Sequence, residues 1–171
     1  MNNLYTTYSN EEIDIFKKLS PIEENLSPTS KLIAISSKIP IFKDIPQNAL
    51  IKILKDIKIL KYKKGEILIK EGENDDTIFY ILLGSVNVIK QNTLLATLNN
   101  NTIVGEMAGL LNQKRTASIV SANNATTILS FKIDFSLIHT DLGYYYAIIY
   151  KNLSIELAKK LLIQDNQLTK K

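Results

Sequence analysis

The chain has 171 residues, of which 45% are hydrophobic and 22% are charged, and its formal net charge is +4. This length and balance predict one globular unit with a buried core and argue against a disordered chain. With no cysteine and one histidine, His139, the sequence excludes disulfides, thiolate chemistry and multi-histidine metal sites. The sequence shows neither a secretion signal nor an apolar run long enough to span a bilayer, so we expect a cytoplasmic protein without membrane contact.

Residues 1–39 are predicted to form a helical lead. Ser9 or Asn10 can cap a first helix, and Ser30 can cap a second helix that ends before Pro40. Nothing in these residues assigns a function to the lead.

Between residues 57 and 132, short apolar segments alternate with turns rich in glycine and asparagine. The predicted strands are residues 57–63, 66–70, 78–83, 85–90, 93–98, 102–104, 117–121 and 126–132. Many short strands at this spacing are typical of antiparallel sandwiches and barrels. We therefore predict a mainly β fold with flanking helices, in which residues 40–142 form an antiparallel jelly-roll (double-stranded β-helix) barrel.

Residues 143–171 are predicted to contain a long C-terminal helix, from about Tyr144 to Leu168. Its apolar residues recur at helical spacing, at Ile149, Leu153, Leu157, Leu161 and Leu168. The first half of this stripe is expected to pack on the barrel. The second half needs another cover, so we predict a homodimer through this helix, which can also act as a lid.

The segment from Val104 to Ala117 carries the chemistry of the chain. Glu106 and Arg115 lie nine residues apart on either side of a short, glycine-bracketed helical turn. A carboxylate can accept hydrogen bonds from two vicinal hydroxyls, and the forked guanidinium matches two phosphate oxygens. Arg115 is the only arginine of the chain. The segment therefore predicts a site for a compact sugar phosphate, and the plainer alternative is an internal Glu106–Arg115 salt bridge that braces the turn.

The same segment resembles the phosphate-binding cassette of the cyclic-nucleotide-binding domain family. The resemblance extends to residues 64–73 and 78–88 and covers about residues 40–168. It implies that Glu106 binds the ribose 2′-hydroxyl and Arg115 the cyclic phosphate. Gly105 and the amides of Met107, Ala108 and Ala117 would complete the cassette, with the Met107 side chain in the core or beside the purine.

The resemblance also suggests which residues contact the base. Thr116 occupies a position that bonds the phosphate in some members and the guanine in others. Gln164 and Asp165 fall where receptor-type regulators place residues that touch the base from the dimer helix. These three positions do not decide between adenine and guanine, and a glutamine amide can read both purines.

The predicted function is a cyclic-nucleotide sensor that is not an enzyme, with cyclic AMP favoured, cyclic GMP second and no metal. It would signal through contacts with an effector protein. Because the sequence given ends soon after the long helix, we expect no winged helix and no sequence-specific DNA binding. Val104 and Gly109 replace an aromatic residue and a leucine of the family pattern, and they motivate two alternatives: a scaffold protein with a ligand-free cassette, or a sensor of a cyclic dinucleotide.

Overall fold

The computed structural model describes residues 28–168, with side chains described for residues 30–163. The helix predicted near residues 9–19 lies outside the described residues, and so do the side chains of Gln164 and Asp165. The chain divides into two compact units. One unit is the segment Leu54–Ile133, called the β unit below, and the other combines the residues before it with those after it.

Helices and strands follow one another in an order close to the predicted one. In chain order the structure contains α1 (Pro28–Ser36), a 3-10 turn (Pro40–Phe42), α2 (Gln47–Ile53), β1 (Leu54–Tyr62), β2 (Ile67–Ile69), β3 (Ile78–Leu83), β4 (Ser85–Lys90), β5 (Thr93–Asn99), β6 (Ile103–Val104), α3 (Glu106–Leu111), β7 (Ser118–Ser121), β8 (Thr126–Ile133), a second 3-10 turn (Phe135–His139) and α4 (Gly143–Leu168). Each of the eight predicted strands is present. Their bounds differ from the prediction by at most three residues at either end.

The strands form two antiparallel four-stranded sheets, with the orders β1-β8-β3-β6 and β2-β7-β4-β5. Within them, β1 pairs with β8, β2 with β7, β3 with β6 and β4 with β5. This nested pairing of first with last strand arises when one long hairpin rolls up into two sheets, as in a jelly roll. The predicted fold class is confirmed, in the form of a jelly-roll-like pair of sheets.

The core of the β unit lies between the two sheets. Strand residues point alternately to the two faces of a sheet, so the inward side chains of both sheets meet in one layer. The buried cluster draws on six of the eight strands: Ile69, Phe79, Ile81, Val86, Val104, Ile119 and Ile128. Val104, which replaces an aromatic residue of the family pattern, is therefore a core residue immediately before α3.

The other unit is helical where it is described. On α4, Tyr146, Ile149 and Leu153 are buried, and their spacing places them on one helical face. The side-chain amide of Asn152 donates hydrogen bonds to the carbonyl oxygens of Ile41 (3.3 Å) and Lys43 (2.9 Å), at the end of the first 3-10 turn. The first half of the apolar stripe is thus buried, and these contacts join α4 to the first 3-10 turn of its own unit; packing of α4 on the barrel stays a prediction.

Farther along α4, Leu161 of the stripe is exposed, and so are its neighbours Leu162 and Ile163, each by 60–63%. Over residues 28–168, no helix combines the length and the apolar character needed to cross a membrane.

Candidate functional site

Two residues in left-handed backbone conformations bracket α3. Gly105 precedes the helix with φ of 84°, and Asn112 follows it with φ of 48° and donates its backbone N–H to the Ala108 carbonyl. Glycine and asparagine are the residues that adopt this conformation most easily. The helix is therefore limited to one and a half turns, which fixes Glu106 at its first position and sends the chain back toward Arg115.

Glycine is also required at position 105 because there is no space for a side chain. A Cβ atom at this position would lie 2.8 Å from Nη1 of Arg115 and 3.0 Å from the Thr77 carbonyl oxygen. No ordinary side chain tolerates such contacts, so the close approach of Arg115 to the backbone depends on this glycine.

The guanidinium of Arg115 is held inside the β unit, where its side chain is only 3% exposed. Nη1 donates to the Gly105 carbonyl (2.7 Å), while Nη2 donates to the Thr77 carbonyl and to Oδ2 of Asp75 (both 2.6 Å). A buried cation must be paired and hydrogen-bonded, because its desolvation is costly. These three acceptors satisfy that requirement from two separate segments of the chain.

The backbone around Arg115 is paired as well. Its N–H donates to the Glu73 carbonyl (2.9 Å), and its carbonyl accepts from the Gly72 N–H (2.9 Å). The loop between β2 and β3 is thereby joined to the strand entry that carries Arg115.

Asp75 is the anionic partner of Arg115, although the sequence led us to consider Glu106 for that role. Partial burial by itself raises the pKa of Asp75, but hydrogen bonds from Thr77 and Arg115 outweigh that effect and lower the pKa to about 2. Oδ1 accepts from the Thr77 N–H (3.2 Å) and hydroxyl (2.8 Å), and Oδ2 accepts from Arg115. Asp75 is therefore ionised at neutral pH, and the bracing salt bridge joins Arg115 to the β2–β3 loop.

Lys132 on β8 extends this charged cluster. Its Nζ lies 2.7 Å from Oδ1 of Asp76 and 3.6 Å from Oδ1 of Asp75. A hydrogen bond with Asp76 raises the pKa of Lys132, so the ammonium stays charged. Arg115, Lys132, Asp75 and Asp76 thus form a connected set of two cations and two anions.

The remaining predicted site residues differ in exposure. Glu106 and Ala108 are buried on α3, whereas the Met107 side chain is exposed and is not part of the core. Thr116 and Ala117 are partly buried beside Arg115 in sequence. The structure brings Gly105 and Arg115 into direct contact, while nothing is described for the side chains of Gln164 and Asp165.

Sequence reasoning missed Asp75 and Lys132. The sequence contains a weak signal for Asp75, because the acidic run Glu71–Asp76 lies in the turn between two predicted strands and the only arginine needs a counter-ion if it is buried. No comparable pattern marks Lys132, which is one of many lysines.

Residues 59–135, which contain this cluster, match the family model described as the cyclic nucleotide-binding domain. A cGMP-dependent protein kinase of Toxoplasma gondii is 38% identical over 104 residues, which are 61% of this chain and 10% of the kinase. Among solved structures, PKAR CBD2 bound to Sp-2Cl-cAMPS is 28% identical, with a TM-score of 0.54 over 82% of this chain and 95% of that one. A cyclic nucleotide-binding domain from Methylobacillus flagellatus has a TM-score of 0.59 at 22% identity, over 92% and 85% of the two chains, and it supports the fold.

Residues 59–135, which make up most of the β unit, thus match the cyclic nucleotide-binding domain, and the chain is similar to a cGMP-dependent protein kinase and to PKAR CBD2. This confirms the family resemblance of the cassette. The chain spans about a tenth of the length of the Toxoplasma kinase, so the activity of that whole protein is not thereby carried over.

Replacing Gly105 by alanine should destabilise the fold by at least about 2 kcal/mol, because a left-handed non-glycine residue is strained and the new methyl group would displace Arg115. Gly65→Ala is the matched control, since Gly65 has nearly the same φ of 86° but has nothing within 4 Å of a Cβ atom. Urea denaturation of both variants measures the difference. Equal losses would contradict the role of the Arg115 contact.

Asp75→Asn should remove an acid-dependent part of the stability. Because the folded pKa of Asp75 (about 2) lies below its ordinary value of 3.8, the ionised form favours folding. Its contribution is complete above about pH 4 and is lost as the pH falls toward 2. The free energy of unfolding, measured from pH 2 to 5, should fall less steeply with acid in Asp75→Asn than in the wild type. Asp76→Asn is the control, and an unchanged slope in Asp75→Asn would refute the pairing.

Proposed function

We propose that the chain is a cyclic-nucleotide sensor whose cassette binds the cyclic phosphate through Arg115 and the ribose through Glu106. The observation that carries the proposal is the state of the guanidinium. It has five N–H donors, and within the described part of the chain three hydrogen bonds use three of them. The Nε–H and one N–H of Nη1 are left for phosphate oxygens, on different edges of a cation that is already fixed in place.

The preorganisation of Arg115 supports the same proposal. A flexible surface cation loses side-chain entropy when it binds an anion, whereas this guanidinium is already ordered by Gly105, Thr77 and Asp75. Glu106 is buried at the first position of α3, directly after Gly105. The family match supports the ligand-binding roles that the cassette pattern implies for these two residues.

The relatives divide on the base. The kinase from Toxoplasma is named for cyclic GMP, while the PKAR domain was solved with an analogue of cyclic AMP. The relatives therefore support cyclic GMP as much as cyclic AMP, and the hydroxyl of Thr116 is compatible with either ligand. We further propose that the chain is a binding module and not an enzyme, and that it acts on an effector protein in the cytoplasm.

Isothermal titration with cyclic AMP, cyclic GMP and cyclic di-GMP tests the proposal. We expect binding of at least one cyclic mononucleotide and a loss of about 10- to 100-fold in affinity for Arg115→Ala, because a hydrogen bond to a charged group contributes about 1.5–3 kcal/mol. Arg115→Lys should also weaken binding, since it keeps the charge and loses the fork. Lys114→Ala, which removes the same charge at an exposed neighbouring position, should bind like the wild type.

One observation favours the alternative of a ligand-free scaffold. Asp75 already pairs with Arg115, so the domain keeps its charge balance without a ligand. If the wild type binds none of the nucleotides in the titration, this alternative is preferred. A partner that is retained equally by wild type and Arg115→Ala in a pull-down would then support it.

We propose that the C-terminal end of α4, where Leu161, Leu162 and Ile163 are each 60–63% exposed, mediates homodimerisation. Leu161 continues the helical spacing of Leu153 and Leu157, so a second helix packed along this stripe would cover it. Light scattering should give twice the mass of one 19.3 kDa chain for the wild type and one chain for Leu161→Glu/Ile163→Glu. Ile51→Glu, at an exposed apolar residue on α2, is the control. A wild-type mass of 19.3 kDa would exclude the dimer.

A further inference from the structure

We propose that Lys132 is a positioning residue for the ligand. Its positive charge offsets the negative charge of Asp75, so that Arg115 can bind an anionic phosphate. The inference rests on the proposed function. Lys132 lies outside the cassette in sequence, on β8.

At Arg115, a bound phosphate would lie close to the carboxylate of Asp75. The carboxylate of Asp75 is 2.6 Å from Nη2, on the same guanidinium that the phosphate would use. A phosphate bound there brings a negative charge close to a carboxylate that is ionised at neutral pH. Like charges at such a distance weaken binding unless a further cation offsets one of them.

The Nζ of Lys132 lies 3.6 Å from Oδ1 of Asp75, the oxygen that faces away from Arg115, and 2.7 Å from Asp76. β8 lies between β1 and β3 in its sheet and is paired along most of its length, which fixes the backbone of Lys132. Asp75 is thus placed between two cations on different segments of the fold.

With Lys132 present, two cations face two carboxylates, and the four side chains sum to zero. Without Lys132, the cluster at the phosphate site carries a net charge of −1. The Lys132 side chain is 36% exposed, so salt in the solvent should screen its effect in part.

A purely mechanical role for Lys132 makes a different prediction. A lysine that only braces the β2–β3 loop would act through its short contact with Asp76, and loss of either partner would loosen the loop. A lysine that offsets the charge of Asp75 instead divides its interaction between Asp75 and Asp76. Removal of the Asp76 carboxylate would then leave the ammonium of Lys132 paired with Asp75 alone.

The test is the affinity of the wild type and variants for the cyclic mononucleotide that binds best. Lys132→Met should weaken binding about three- to tenfold at 50 mM salt, and by less at 500 mM salt. Lys132→Arg, which keeps the charge, should stay within about twofold of the wild type. Lys64→Met removes a positive charge from an exposed turn of the same unit and should leave the affinity unchanged.

Two further variants separate charge from bracing. Asp76→Asn should bind as tightly as the wild type or more tightly. In an Asp75→Asn background, Lys132→Met should change the affinity by less than about twofold, because its target is gone. Equal weakening by Asp76→Asn and Lys132→Met, or an undiminished Lys132→Met effect in the Asp75→Asn background, would overturn the inference.

The outcomes also separate this inference from the proposed function. If the wild type binds a cyclic nucleotide and Lys132→Met binds it equally well, only the role of Lys132 is refuted. If the wild type binds none, both are refuted. Thermal unfolding of each variant without ligand verifies that the compared proteins are folded.

Discussion

The burial of one guanidinium is the constraint on which the site depends. Taking an arginine out of water costs several kcal/mol unless its donors and its charge find partners. Here the partners are the carbonyl oxygens of Gly105 and Thr77 and the carboxylate of Asp75. They come from positions about ten and forty residues away in the chain, so Arg115 is correctly held only when the strands around it have formed.

The jelly-roll pairing brings these segments together. Because β2 pairs with β7 and β3 with β6, the β2–β3 loop that carries Asp75 and Thr77 lies near both ends of the cassette. Gly105 directly follows β6, and Arg115 lies three residues before β7. The topology therefore positions the cation, and the left-handed glycine permits its final approach to the backbone.

Most of the correctly predicted features of the fold follow from local sequence patterns. Alternating apolar residues and turn-forming glycines and asparagines define the strands within a few residues, because strand periodicity and turn chemistry act over short distances. Gly105, Glu106 and Arg115 lie in one contiguous segment, which makes them recognisable in the sequence. Asp75 is not recognisable in this way, because the four acidic residues from Glu71 to Asp76 are equivalent in sequence, and only the register of β2 and β3 selects the one that reaches Arg115.

The salt bridge between Arg115 and Asp75 affects how an anionic ligand would bind at this site. The ligand would not bind an unpaired cation but would share Arg115 with Asp75, within a cluster whose charges already sum to zero. Repulsion from that carboxylate then reduces the free energy gained from the new charge-assisted hydrogen bonds. The affinity therefore depends on how far neighbouring cations offset the charge of Asp75. A cassette of this kind can be tuned by residues that never touch the ligand. The same balance is compatible with a ligand-free fold, because no buried side-chain nitrogen or oxygen in the described part of the chain lacks a hydrogen-bond partner.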